Sequence, residues 1–171
     1  MRNIFLAVAA LAASLPALPA RAGEGLGVDN EKVVAMEAKV VDLTCEVAKI
    51  CPADCGAGKH QLGLLTADGK LLPAVKSATL FAAPVLDLLP YCGKTVAVDG
   101  LLVENPAMTI YFVQGIRDKA VEAYAPTDAF EKRWVTANGP SEEWFRNDPV
   151  VKKIIAADGI TGIKGLVPKL P

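Results

Sequence analysis

PVLDLLPYCGKTVAVDGLLVE, residues 84–104, puts a short helix directly in front of a long, bent strand. Pro84 suits the first turn of a helix, because its missing N–H is one that a helix leaves unbonded and its φ is already helical. The helical piece covers 84–89, and Pro90 ends it by disfavouring the α conformation of the residue before it. Residues 94–104 then alternate. Val96 and Val98 share one face, and beyond Gly100 the apolar phase moves to Leu101 and Val103. A change of phase inside one strand is the mark of a β-bulge.

Downstream, Asn105-Pro106 turns the chain into a further strand over 109–117. Upstream there are three strands. In the first, Met36, Ala38 and Val40 alternate with Glu37 and Lys39, as a half-buried strand requires. The apolar phase then shifts to Val41, Leu43 and Cys45, which predicts a second bend. Residues 61–66 form the next strand. Asp68-Gly69 is a hairpin signal, since the turn needs positive φ and Gly accepts it. Residues 70–76 return, with Pro73 placing that strand at an edge or a bulge.

Three strands, a helix and two strands, with the first and fourth strands bent, is the order of the OB-fold, a five-stranded Greek-key barrel. Strong coiling is how so few strands close on themselves. Over residues 32–118 the chain resembles periplasmic OB-fold proteins in this element order. No residue motif carries a functional side chain across from a relative. The resemblance implies a mainly β molecule, an OB-like barrel (β-β-β-α-β-β) with a helical extension at 126–171. The runner-up is a small open sheet or sandwich with a packed helix.

The extension has its own punctuation. Asp128 precedes a helix with Glu131 at the capping-box position. Phe130 and Trp134 lie four apart on one face, and Asn138-Gly139 stops it. Ser141, Glu142 and Glu143 open a short turn carrying Trp144 and Phe145. Asp148-Pro149 starts a further helix with an apolar stripe of Val150, Val151, Ile154 and Ile155. Gly159 ends that helix, with Ile160 placed to pack back in a Schellman stop. The aromatics are expected to dock these helices on the barrel; in the sharper reading Trp134 and Trp144 line a ligand groove.

At the other end, Met1-Arg2, an apolar run over 4–18 and the small-x-small triplet Ala20-Arg21-Ala22 read as a secretory signal peptide at 1–22, cleaved after Ala22. The run is shorter than the roughly 20 residues of a membrane span, and no second apolar run follows; a retained anchor is the competing reading. A bacterial periplasm is the expected destination, where disulfides persist. Residues 23–31 are Gly-rich and polar and read as a flexible arm. Without Arg2 and Arg21, 16 basic side chains face 19 acidic ones, a net charge of −3. That offers no electrostatic footprint for nucleic acid.

Cys45, Cys51, Cys55, the single histidine His60, and Cys92 hold all the soft or redox-active chemistry. Four cysteines allow three pairings. In an OB topology the end of the first strand lies beside the start of the fourth, so the preferred pairing is Cys45–Cys92 with Cys51–Cys55. The alternative puts Cu(I) or Zn(II) among Cys45, Cys51, Cys55, His60 and Cys92, donors that suit such ions. Their spacing does not match a zinc ribbon, and a lone histidine beside a hairpin is more often a surface residue. A thiol-disulfide role is the third reading, although Cys51 and Cys55 have three residues between them where thioredoxin-like sites have two.

Other chemistry finds little support. Gly56-Ala57-Gly58-Lys59 lacks the spacing and the Ser/Thr of a phosphate loop and reads as a tight turn. Asp42, Glu46, Asp54 and Asp99 show no pairing for acid-base work, and no serine sits in a nucleophile elbow. The expected function is therefore a non-enzymatic, exported binding or accessory module. It would need no cofactor and would present its barrel to a protein, peptide or small ligand.

Overall fold

The computed structural model describes residues 23–166; the signal-peptide reading of 1–22 lies outside them. The strands are β1 (Glu31–Asp42), β2 (Leu62–Thr66), β3 (Leu71–Lys76), β4 (Thr95–Glu104), β5 (Thr109–Arg117) and β6 (Ala125–Pro126). The helices are α1 (Leu43–Ala48), α2 (Val85–Leu88), α3 (Ala129–Asn138), α4 (Trp144–Asn147) and α5 (Pro149–Asp158). The sheet runs β3-β2-β1-β4-β5-β6, and β3 also pairs with β5 in parallel. That last pairing joins the edge strand β3 to β5, so five strands form a closed mixed barrel of OB-like order. The open-sheet alternative is excluded.

β1 is the long strand that serves both halves. Its first part pairs with β4 from Glu31 to Lys39, and its last part pairs with β2 from Ala38 to Asp42. Its register is unbroken, so no bulge lies there. The shifted phase has another cause: Leu43 has left the strand and opens α1. Its side chain lies over Gly63, where an added Cβ would stand 2.4 Å from Leu43 Cδ2.

The bulge expected near Gly100 is present, but the extra residue lies across the ladder. Asp99 pairs with Gly115 and Gly100 with Val113, leaving Gln114 of β5 unmatched. Gly100 is needed because an added Cβ would lie 1.9 Å from the Phe112 carbonyl oxygen. Pro73 pairs with Gly63, and the β3–β5 register slips just beyond it, between Ala74 and Lys76.

The alternating positions fill the barrel: Val40, Leu62, Leu64, Leu72, Val96, Val98, Tyr111 and Val113 are all buried. Leu88 of α2 plugs one end at 0% exposure. The chain tightens into a 3-10 turn at Leu89–Tyr91, so Pro90 continues the element rather than ending it. Residues 23–31, expected as a flexible arm, carry hydrogen bonds of their own. Glu31 accepts the N–H groups of Leu26, Gly27 and Val28, and Glu24 is bonded to Gln114.

Candidate functional site

Two regions hold the chemistry. The first is the loop between β1 and β2. Asp42, buried at the end of β1, caps α1: its Oδ1 accepts from Thr44 N at 2.7 Å and Cys45 N at 3.1 Å. Its Oδ2 faces His60 Nδ1 at 2.8 Å. Burial raises the Asp42 pKa, but the Cys45 and Thr44 N–H groups and His60 outweigh it and hold the carboxyl below its ordinary range. His60 is therefore a partner of Asp42, which sequence reasoning missed; the signal was a single histidine facing an Asp at a strand end.

Because α1 turns the chain at Asp42, Cys45 does not reach β4. The disulfides are Cys45–Cys51 and Cys55–Cys92, with Cα separations of 4.3 and 6.0 Å. This corrects the expected pairing of Cys45–Cys92 with Cys51–Cys55. The sulfurs do converge at one end of the barrel, since Cys45, Cys55 and Cys92 line one cleft with Asp42. Lys49, at φ +59°, ends α1 and sends the chain back, so Cys51 meets Cys45. Then Asp54, Cys55, Gly56 and Ala57 all adopt positive φ, between 48° and 71°, one turn of left-handed helix. Such a run costs roughly 1–2 kcal/mol for each residue bearing a Cβ, and the buried Cys55 and its bond to Cys92 hold it. With no cysteine free, thiolate ligation of Cu(I) or Zn(II) is not open to this state. Among the described residues no group of three or more His, Cys, Asp or Glu is placed to hold a metal.

The second region is the helical extension. Thr127 docks it, its hydroxyl donating to Val113 O and accepting from Ala78 N. Asp128 makes no side-chain cap bond. The Ala129 N–H at the start of α3 goes instead to Asp87 Oδ1 of α2, at 2.9 Å. Glu131 accepts from Thr79 Oγ1 rather than closing a capping box. Trp134 and Trp144 are 8% and 6% exposed and pack with Ala82. Their rings lie 6.0 Å apart, and Trp134 Nε1 donates to Asp148 Oδ2 at 2.6 Å. Asp148 also caps α5 through its Oδ1. The tryptophans are thus first the docking core of the extension.

A cleft of about 460 Å³ opens beside them, lined by Phe81, Phe130, Trp144, Phe145, Asp148 and Val151. Trp144 forms part of its wall, whereas Trp134 borders a separate hollow with Asn138, Pro140 and Asn147. The Phe81 ring lies 4.7 Å from that of Phe145, tilted at 56°, yet is 77% exposed on a backbone at φ +58°. No periodicity in the sequence marks it, because it lies in a loop. The stripe of α5 does not dock: Val150, Val151, Ile154 and Ile155 are 42–64% exposed, and Ile160 is exposed rather than packed back.

No family model, curated protein or solved structure matches this chain. No helix among the described residues is long and apolar enough to cross a membrane.

Proposed function

We propose that this is an exported, non-enzymatic binding protein that takes an apolar segment of a partner polypeptide on the aromatic cleft beside α4. One observation carries the reading: Phe81 is held out into solvent on a left-handed backbone beside Phe145. Non-glycine residues keep such conformations only where the surroundings over-determine them, and they cluster at binding sites. The exposed aliphatic face of α5 continues the cleft through Val151. A contiguous apolar surface of that kind fits a polypeptide better than a small polar ligand. The net charge of −3 after leader removal favours a partner other than nucleic acid. The leader-like start and the two disulfides support export, cleavage after Ala22 and residence in a periplasm.

Tryptophan fluorescence, titrated with short peptides that each carry one Phe, Leu or Trp side chain, tests the site. Apolar peptides shift the emission and Gly/Ser controls do not. Phe81→Ala and Phe145→Ala weaken binding at least about tenfold, or about 1.4 kcal/mol. Unchanged affinity in both variants removes the cleft from the function.

A thiol-disulfide role is the second reading, favoured by the exposure of Cys51 beside the half-buried Cys45. Reduction of Cys45–Cys51 by a dithiol protein, with Cys55–Cys92 left intact, is its expected mark. Simultaneous reduction of both bonds argues against it.

A further inference from the structure

Asp99 lies in β4 and is fully buried, at 0% exposure. The start of the described chain packs on it. A Cβ added to Gly23 would stand 2.6 Å from Asp99 Oδ1 and 3.1 Å from Gly100 N, so the backbone of residue 23 lies close against the carboxylate. The next residue is clamped in both directions. Glu24 N donates to Gln114 Oε1 at 2.6 Å, and Gln114 Nε2 donates to Glu24 O at 2.9 Å. Gln114 is the extra residue of the β4–β5 bulge and is itself buried. The bulge therefore has a use: it aims one amide side chain at the backbone of residue 24 while β4 holds a carboxylate under residue 23.

Gly23 is also the first residue after the Ala20-Arg21-Ala22 triplet. Hydrolysis there adds water across the Ala22–Gly23 peptide bond, leaving a carboxylate on the leader and an α-ammonium on Gly23. The export peptidase supplies the catalyst. The new positive charge is one bond from the Gly23 Cα, which already lies against the Asp99 carboxylate. A carboxylate taken out of water is held as an anion by facing positive charge and donors. On β5, the Tyr111 phenol feels the Asp99 charge, while its hydroxyl donates to Val34 O. Burial first, and then the Asp99 charge, pushes the Tyr111 pKa upward, so that phenol stays neutral.

We propose that Asp99 is the counter-ion of the mature amino terminus: removal of the leader creates an ion pair between the half-buried Gly23 α-ammonium and the buried Asp99, locking the terminus onto the bulge. This rests on the export reading above. It makes Gly23 a maturation site whose new charge pins the terminus to β4.

The test uses a fusion cut to leave Gly23 first and a second protein extended by Ser-Ala ahead of Gly23, each with and without Asp99→Asn. The Gly23 protein is expected to melt at least about 4 °C above the extended one, with that gap closed by Asp99→Asn. A second measurement needs no variant. The α-amine, labelled with 15N at Gly23, titrates above about 9, against about 7.7–8.0 for an ordinary amino terminus. An ordinary titration together with equal melting of the first two proteins overturns the ion pair. Intact mass of the exported protein separately checks the cleavage. A start other than Gly23 sinks cleavage after Ala22, while the α-amine titration still judges the pairing.

Discussion

Gly56 meets two demands at once. Its φ is +71°, and a Cβ there would stand 2.5 Å from His60 Cγ. Alanine would have to strain the left-handed turn and push the imidazole off Asp42. Gly56→Ala is therefore expected to destabilise by about 1–2 kcal/mol, read as a fall in Tm and a changed His60 ring resonance; an unmoved ring refutes the packing argument. Asp42 carries the complementary load. Asp42→Ala removes the α1 cap as well as the His60 contact, and losing such a cap costs about 1 kcal/mol. Asp42→Asn keeps one acceptor oxygen for two jobs and falls between wild type and alanine in a thermal melt. The residue scale is also where the sequence is least legible. His60 and Asp42 are 18 positions apart, and only the two reversals of chain at Lys49 and Asp54–Ala57 bring them together.

Among elements, the two disulfides differ in kind. Cys55–Cys92 spans 37 residues and ties the left-handed turn to the start of β4. Loop-closure entropy gives it about 4 kcal/mol, against about 2 kcal/mol for the six-residue Cys45–Cys51 closure. Removing the first pair (Cys55→Ala with Cys92→Ala) is accordingly expected to lower Tm by about 8–16 °C, roughly twice the effect of Cys45→Ala with Cys51→Ala. Equal losses would mean that the left-handed turn holds itself. The strands were readable because alternation and Asp68-Gly69 are local signals, and the helix after Pro84 gave the topology. The disulfide pairing was not. It depended on whether Leu43 and Cys45 continue β1 or leave it, and Val41-x-Leu43-x-Cys45 looks the same in either case. What decides is Asp42 turning back to cap Thr44 and Cys45, helped by the bare Gly63 that lets Leu43 fold over it. At α5 the reading failed in the opposite sense. Its stripe has the period of a docked face, but Trp134, Trp144 and Ala82 already fill the space beneath the extension, leaving the stripe as surface.

At the scale of the molecule, barrel and extension meet through Asp87, whose Oδ1 takes the first free N–H of α3. Its other carboxylate oxygen is buried and has no donor among the described residues. Burial first, and then the nearby Asp128 charge, outweighs the Ala129 hydrogen bond and raises the Asp87 pKa. An acid whose folded pKa lies above its unfolded one binds its proton more tightly when folded. Its contribution to stability thus grows as pH falls from neutral through the raised value, and levels off below the ordinary carboxylate range. Asp42 has the opposite sign: its depressed pKa gives stability above the ordinary range that is lost as pH falls through the lowered value. Together they predict a Tm that rises from pH 7 toward mildly acid conditions and then drops in stronger acid. Asp87→Asn separates the two limbs. Its amide oxygen can still accept the Ala129 N–H without a buried charge, so the variant should melt at or above wild type at pH 7 and lose the rise on mild acidification. It should keep the acid drop, which belongs to Asp42 and to the other carboxylates held below their ordinary range, Asp148 among them. A variant that melts well below wild type at pH 7 while keeping the full rise would show that the charge on Asp87, rather than its oxygen, joins the helices to the barrel.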